Sequence, residues 1–296
     1  MEGALPGAAS ASLAHVLNGP VRIVTVTASL SRALYVTTGD PDVPALCVAA
    51  ADAVRVPCAV LLGPGVPVPT VTVGSPARLG EGRVEFTDSA VAVARWWRAS
   101  RPQVPLLQID DRRRTIGAWV EHTAPTDASR TADTAAPLAP PADVLAAAAA
   151  LEPGLAGGHL GVAAALGSGL AGGDLGTGVR ALLGRGEGLT PLGDDILAGI
   201  LVTLADHEAG RVMGSMVAEE LASRPGATTA VSAALLTHAT RGECIPELAA
   251  VLTDPLDRLD SAVEALLRVG HSSGGGLLHG VRMGLKVLTG PKGLVK

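Results

Sequence analysis

The sequence predicts an α+β protein in which a β-rich N-terminal domain is followed by an all-helical C-terminal domain. Three observations support this prediction. From residue 21 to about residue 120, short β-branched runs are separated by Gly and Pro, as in strands and turns. From residue 143 to residue 296, apolar residues recur at helical spacing. Between these regions the chain is rich in Ala, Pro, Thr and Asp, which is typical of a linker.

These patterns set the expected domain bounds. Residues 1–122 form the β-rich domain, residues 123–142 the linker, and residues 143–296 the helical domain with its glycine-framed loops. One helix is expected inside the first domain, at residues 89–99, because its apolar residues can share a face. The pair Trp96 and Trp97 is expected to pack that domain, and residues 112–114 to form a solvated turn. The glycine-dense residues 154–188 fit either a loop or closely packed helices.

Composition excludes several classes of function. Hydrophobic residues make up 48% of the chain and aromatic residues 2%, so the core must be built from Ala, Val and Leu, and association into a homo-oligomer would help its stability. The net charge of −5, with scattered Lys and Arg, excludes a nucleic-acid groove. The apolar stretch at residues 196–205 is far shorter than a membrane span, and no signal pattern is expected.

The three cysteines are odd in number and widely spaced. This pattern fits neither a disulfide framework nor a zinc site, and it predicts reduced, buried thiols. We therefore expect a soluble cytoplasmic protein.

The segment that could carry chemistry is the glycine-framed loop GEGLTPLGDD at residues 186–195. Glycines at alternate positions permit positive φ before Thr190 and Pro191. Because Thr favours the N-cap and Pro the first helical position, an apolar helix is expected to start here. Its unpaired amides and dipole would favour binding of phosphate or carboxylate. The candidate substrate-binding residues in this loop are Gly186, Gly188, Thr190 and Gly193.

Asp194 and Asp195 fall in the first turn of this expected helix. The helix dipole favours a carboxylate there by roughly 0.3–1 kcal/mol. The apolar residues that follow imply burial, which costs a bare carboxylate several kcal/mol. At least one Asp therefore needs a partner, for which Mg²⁺, a ligand donor or backbone amides could serve. Both are candidate catalytic residues and metal ligands; the alternative is that they only cap the helix and hold the loop.

A second segment, VGHSSGGGLLHGVRMGL at residues 269–285, has the same layout. It aligns with the first segment without a gap at a constant offset of 81 positions. The alignment predicts two quasi-equivalent helix N-termini facing one pocket, unless the shared pattern only suits close helix packing. His271 is a candidate acid or base because it titrates in the useful range; it could equally be a cap or surface residue. Further candidate substrate-binding residues are Ser272, Ser273 and Gly274.

The two motifs GEGLTPLGDDILAGIL and GHSSGGGLLHG together resemble the AllH family, described as oxamate carbamoyltransferase subunits. The resemblance covers most of the second domain, with a weaker likeness in the first. The first motif is an unusual string, whereas the second is looser. In the family the second motif usually reads like H-[ST]-S-G-x-D, so an acid is expected where this chain has Gly276.

The resemblance implies carbamoyl transfer between oxamate or oxalurate and phosphate, by a subunit that acts beside an FdrA-like partner and a further subunit. Such chemistry needs an anion site and donors that stabilise charge at the carbonyl. The resulting hypothesis has the first loop bind phosphate or carboxylate, with Thr190 donating and Asp194 or Asp195 holding Mg²⁺ or an amine. No covalent nucleophile is expected.

Two other interpretations stay open. The chain could be a non-catalytic assembly or metabolite-sensing subunit whose loop binds a phosphate- or carboxylate-bearing ligand, which Gly276 favours. Alternatively, both loops could be packing devices in a homo-oligomer.

Overall fold

A computed structural model of the chain describes residues 3–123, 141–156 and 175–290. The chain divides into two compact units whose segments interleave along the sequence. Among these residues, the barrel unit contains residues 3–100, 229–238 and 243–246. The helical unit contains residues 101–123, 141–156, 175–228, 239–242 and 247–290.

The predicted fold, a β-rich domain followed by an all-helical domain, is therefore wrong. Helical residues 229–238 belong to the unit that contains the strands, and the helical unit already begins at residue 101. Contacts between residues that are distant in the sequence hold the later segment in the barrel unit. Cys244 forms an isolated bridge with Ser100, and the Ser12 hydroxyl donates to the Glu243 carboxylate. The expected linker lies almost wholly outside the described residues, so it stays a prediction. Most of the glycine-dense segment lies outside them as well.

Most strands of the barrel unit follow the β-branched runs of the sequence, but the first strand precedes residue 21, and the run TVTVG at residues 70–74 forms no strand. Their bounds are β1 Leu5–Ser10, β2 Arg22–Ser29, β3 Ala33–Asp40, β4 Val43–Ala49, β5 Ala59–Leu62, β6 Pro76–Gly80, β7 Arg83–Glu85 and β8 Ala90–Trp97. A short helix, α1 Ala14–Leu17, follows β1.

These strands form a closed barrel in the order β1-β5-β4-β3-β2-β6-β7-β8. The pairs β1–β8 and β4–β5 are parallel, and the other neighbouring pairs are antiparallel. Closure removes the unpaired edges that an open sheet would leave.

The helix expected at residues 89–99 is wrong, because this segment is strand β8. It pairs with β7 on one side and with β1 on the other, so tertiary pairing overrides the local apolar spacing. Trp97 packs the unit as predicted: its indole N–H donates to the Ala8 carbonyl at 3.1 Å, and the Arg55 guanidinium lies 5.0 Å from the ring centroid. Trp96 is 41% exposed.

The longer helices of the described chain follow β8. Their bounds are α2 Ile109–Thr123, α3 Ala142–Ala156, α4 Leu175–Leu182, α5 Leu192–Thr203, α6 Glu208–Ser223, α7 Ala230–Thr240, α8 Pro246–Thr253, α9 Leu259–Leu267 and α10 Ser273–Leu288. Helix α5 is buried along its whole length and packs mainly on α10.

The solvated turn expected at residues 112–114 is also wrong. These residues lie within α2, and the Arg112 side chain is buried. Its guanidinium donates to the carbonyls of Val251 and Asp254, which lie at the end of α8. Arginine can satisfy the free carbonyls of a helix end in this way. Contacts with two residues far along the chain thus explain why the Arg112 side chain is buried.

The core consists mainly of Ala, Val, Leu and Ile, as the composition predicts. The three cysteines are free and buried, which confirms the prediction for them. Among the described residues, no helix combines the length and the apolar character needed to cross a membrane.

Candidate functional site

The loop before α5 has the backbone conformation that its glycines predict. Gly184, Gly186 and Gly188 have φ angles of 72°, 119° and 93°, a region that side chains other than glycine rarely adopt. At Gly184 space is limiting as well, because an added Cβ atom would lie 1.9 Å from the Ala227 carbonyl oxygen. The loop is thus held against the segment that precedes α7.

The start of α5 differs from the prediction at its cap. Pro191 occupies the N-cap position with no side-chain cap hydrogen bond, so the expectation that Thr190 caps the helix is wrong. The amide of Gly193 donates to the Arg185 carbonyl at 2.8 Å, and the amides of Asp194 and Asp195 donate to the Pro191 carbonyl. These three amides are therefore satisfied within the protein, and binding of an anion by the rest of the loop stays a prediction.

Asp194 connects the loop to the helix. It is 1% exposed; its Oδ1 accepts from the Gly184 amide at 2.7 Å, and its Oδ2 accepts from the Thr228 hydroxyl. Both carboxylate oxygens thus have donors, which offset the cost of burying the group. This geometry supports the interpretation of Asp194 as a residue that holds the loop.

Asp195 is in a different environment from its neighbour. It is 6% exposed, and burial, together with the charge of Asp194, raises the pKa of its carboxyl well above the usual value. The Ser273 hydroxyl is hydrogen-bonded to the carboxyl and opposes this shift. Among the described residues, none forms a hydrogen bond with the buried Oδ2 atom. Such atoms are rare in native proteins and call for an explanation.

Thr190 completes a small polar group beside Asp195. Its hydroxyl lies 2.9 Å from the Ser273 hydroxyl, and both side chains are half-buried. We call Thr190, Asp195 and Ser273 the Asp195 cluster. It joins the loop before α5 to the first residue of α10, as expected if both glycine-rich segments contribute to one site.

The other candidates of the second segment do not join the cluster. His271 is exposed in the turn before α10, and Ser272 occupies the N-cap position without a side-chain cap bond. The Gly274 amide donates to the Val269 carbonyl at 3.0 Å. The catalytic and binding roles assigned to His271, Ser272 and Gly274 stay predictions.

Gly276 faces Asp195 directly. A Cβ atom added to Gly276 would lie 2.7 Å from the Asp195 Cβ and 2.8 Å from the Leu192 Cδ1, closer than such atoms normally approach. No acidic side chain fits between the two helices at this point without moving them apart.

The oxygen atoms of Asp194 and Asp195 are the candidate ligands for Mg²⁺. This ion prefers octahedral coordination by hard oxygen ligands. Both Asp194 oxygens already accept hydrogen bonds, and no group of three or more His, Cys, Asp or Glu side chains suited to a metal occurs in the described ranges. The residues do not fit a Mg²⁺ site formed by both Asp side chains.

Sequence reasoning missed a second buried polar group, which lies in the barrel unit. His238 is fully buried, and its Nδ1 lies 2.6 Å from Glu243 Oε2. The Ser12 hydroxyl donates to the same carboxylate at 2.9 Å. No sequence signal connects Glu243 to Ser12, which is 231 positions away.

Comparison with known proteins covers part of the chain. No curated protein and no solved structure matches the chain. The matched family segment contains both glycine-rich loops and the whole Asp195 cluster, and it excludes all eight barrel strands. Over residues 182–285 the chain matches the family model described as "Oxamate carbamoyltransferase subunit AllH", and the resemblance predicted from the motifs is confirmed for this segment.

Proposed function

We propose that this chain is a subunit of a carbamoyltransferase and that its Asp195 cluster binds the carbamoyl or carboxylate group of a small substrate such as oxamate. The observation that carries the proposal is the buried Asp195 Oδ2 atom without a hydrogen-bond partner among the described residues. Leaving such an atom unpaired costs roughly 1–3 kcal/mol. A ligand that hydrogen-bonds to it would recover this free energy.

The environment of Asp195 favours a proton on the carboxyl, because burial and the nearby Asp194 both disfavour the charged form. A protonated carboxyl in a dry site can donate a hydrogen bond to an oxygen that gains negative charge. In transfer from oxalurate to hydrogenphosphate, a phosphate oxygen would attack the carbamoyl carbon while the proton on Oδ2 donates a hydrogen bond to the carbonyl oxygen. The bond from that carbon to the oxamate nitrogen would then break, and oxamate would leave with the proton that the hydrogenphosphate gives up. This role replaces the amide-lined anion site expected from the sequence.

The two hydroxyls of the cluster would orient the same substrate. Thr190 and Ser273 lie within hydrogen-bond distance of each other, so either hydroxyl can turn towards a bound oxygen or amide. Fixed donors lower the barrier most when they already point to the position where charge develops. The cluster contains no His or Lys that could activate a hydroxyl as a nucleophile, and transfer would proceed directly between the bound reactants.

The partners are part of the proposal. The matched family is described as a subunit, which supports activity in a complex with an FdrA-like and a further subunit, rather than by this chain alone. Association into a homo-oligomer remains compatible with this proposal. The three free cysteines are typical of a reducing compartment such as the cytoplasm.

A second candidate function is a non-catalytic, ligand-sensing subunit. It is favoured by the exposure of His271, which leaves the Asp195 cluster without the second acid–base group expected from the sequence. In that case the cluster would bind the same class of ligand without turnover.

The decisive experiment compares Asp195→Asn with the exposed control Asp257→Asn in the reconstituted complex. We expect Asp195→Asn to lower kcat by at least a hundredfold while the complex stays assembled, and Asp257→Asn to behave as wild type. Wild-type turnover by Asp195→Asn would refute a role in the reaction. Calorimetric binding of oxamate or carbamoyl phosphate without turnover in any reconstituted mixture would establish the sensing function instead.

A further inference from the structure

Helices α5 and α10 bring equivalent residues of the two glycine-rich segments into contact. Gly199 and Gly280, which correspond at the offset of 81, approach so closely that a Cβ atom on Gly199 would lie 3.0 Å from the Gly280 Cα. A Cβ atom on Gly284 would lie 2.7 Å from the Cβ of its counterpart Thr203. Since the residue numbers of both contacts rise together, the two helices run parallel, with both N-termini at the same end.

The contacts are also reciprocal. A Cβ atom on Gly199 would lie 2.3 Å from the Leu277 carbonyl oxygen, and one on Gly280 would lie 2.2 Å from the Ile196 carbonyl oxygen. Leu277 is the counterpart of Ile196 at the same offset. Exchange of the two helices therefore reproduces each contact, which defines an approximate twofold axis between them.

The helix that precedes each of the two packs closely against its first turn. A Cβ atom on Gly193 would lie 2.1 Å from the Leu182 carbonyl oxygen, near the end of α4, and one on Gly274 would lie 2.0 Å from the Leu266 carbonyl oxygen, near the end of α9. In both cases the absence of a side chain on a glycine in the first turn lets the end of the preceding helix pack closely against it.

Asp195 and Gly276 are counterparts in this arrangement and meet at the axis. We infer that Gly276 is a specificity-determining residue: by contributing no side chain, it leaves one carboxyl group at the axis, so that the site takes a carboxylate-bearing ligand and excludes a divalent cation. The identity of the natural ligand rests on the proposed function, whereas the preference for anion over cation follows from the geometry.

The charges around the axis support this preference. Two parallel helices present the positive ends of their dipoles at the same end of the site, which favours a negative ligand. Asp194 lies in the same first turn, but both of its oxygens already accept hydrogen bonds from the Gly184 amide and the Thr228 hydroxyl, so Asp195 is the carboxyl that faces the axis. Two facing carboxylates would instead form an acidic pair of the kind that binds divalent cations through oxygen ligands.

Gly275 provides a matched control for Gly276. A Cβ atom on Gly275 would meet nothing within 4 Å, so a side chain there is accommodated in the same helix turn without contact with Asp195. The pair Gly276→Asp and Gly275→Asp adds the same charge at neighbouring positions. The pair Gly276→Ala and Gly275→Ala separates the effect of close packing from the effect of charge.

The experiment measures Mn²⁺ binding by electron paramagnetic resonance and oxamate binding by calorimetry, on the full chain. We expect wild type and Gly275→Asp to bind no Mn²⁺, and Gly276→Asp to bind one ion. For oxamate we expect wild-type affinity in Gly275→Ala and at least tenfold weaker binding in Gly276→Asp and Gly276→Ala. The alanine pair tests the inference even if Gly276→Asp fails to fold.

Three outcomes would overturn the inference: wild-type Mn²⁺ binding that disappears in Asp195→Asn, equal Mn²⁺ binding by the two aspartate variants, or wild-type oxamate affinity in Gly276→Ala. Wild-type protein that binds neither oxamate nor carbamoyl phosphate would refute the proposed function. In that case the Mn²⁺ comparison would still decide the role of Gly276.

Discussion

Replacing Asp194 with alanine should destabilise the helical unit strongly, whereas Asp195→Asn should not. Asp194→Ala removes the acceptors of the Gly184 amide and the Thr228 hydroxyl. A hydrogen bond to a charged group contributes about 1.5–3 kcal/mol, and a buried donor left unpaired adds its own cost. We therefore expect a loss of about 3–5 kcal/mol in the free energy of unfolding, which lowers Tm by roughly 10 °C for a unit of this size.

Asp195→Asn serves as the matched comparison, because it keeps the shape of the side chain and can still accept from Ser273. The substitution removes a buried carboxyl whose Oδ2 has no hydrogen-bond partner in the described part of the chain. At neutral pH we expect Asp195→Asn to be no less stable than wild type, because the substitution removes a carboxyl whose charged form is disfavoured by burial.

Urea denaturation followed by circular dichroism would give both unfolding free energies. If both variants lost the same stability, or if Asp194→Ala unfolded like wild type, the assignment of Asp194 to structure and Asp195 to function would be wrong.

Three further predictions test other parts of the molecule. Because burial raises the Asp195 pKa above its usual 3.8, the stability of wild type relative to Asp195→Asn should be greatest below pH 3.8 and fall as the pH rises towards the raised value; urea titrations that show the opposite slope would refute this. Arg112→Met leaves two carbonyls at the end of α8 without their donor and should cost about 3 kcal/mol, while exposed Arg114→Met should change Tm by less than about 2 °C in thermal melts. Glu243→Ala leaves the buried His238 Nδ1 unpaired and should destabilise the barrel unit by about 2–3 kcal/mol, whereas Glu243→Gln should destabilise it by less. Equal chemical-denaturation midpoints for the two variants would contradict this prediction.

The candidate site could be located from the sequence but not resolved into roles. The string GLTPLGDD showed a glycine-relaxed loop before a buried helix, and the unfavourable burial of two acids indicated that at least one needs a partner. The sequence could not assign different roles to Asp194 and Asp195, because the residues that contact them lie far along the chain. Thr228 follows Asp194 by 34 positions, and Ser273 follows Asp195 by a much longer interval.

The β8 strand shows the corresponding limit for the fold. Residues 89–99 have an apolar spacing that suits a helix, and nothing nearby opposes one. The strand forms because β1 and β7 supply a ladder on each side. The same reason explains why residues 229–238 group with the barrel unit.

By itself the sequence determined the aliphatic core, the position of most strands and helices, the positive-φ glycines and the correspondence between the two glycine-rich segments. These features depend on side-chain chemistry and on neighbours a few residues away. Only the tertiary structure decided that the sheet closes, that the helix-start amides are satisfied, that Asp194 holds the loop and that Asp195 meets Gly276. Each of these depends on atoms brought together from distant segments, and local preferences worth a fraction of a kcal/mol per residue do not determine such contacts.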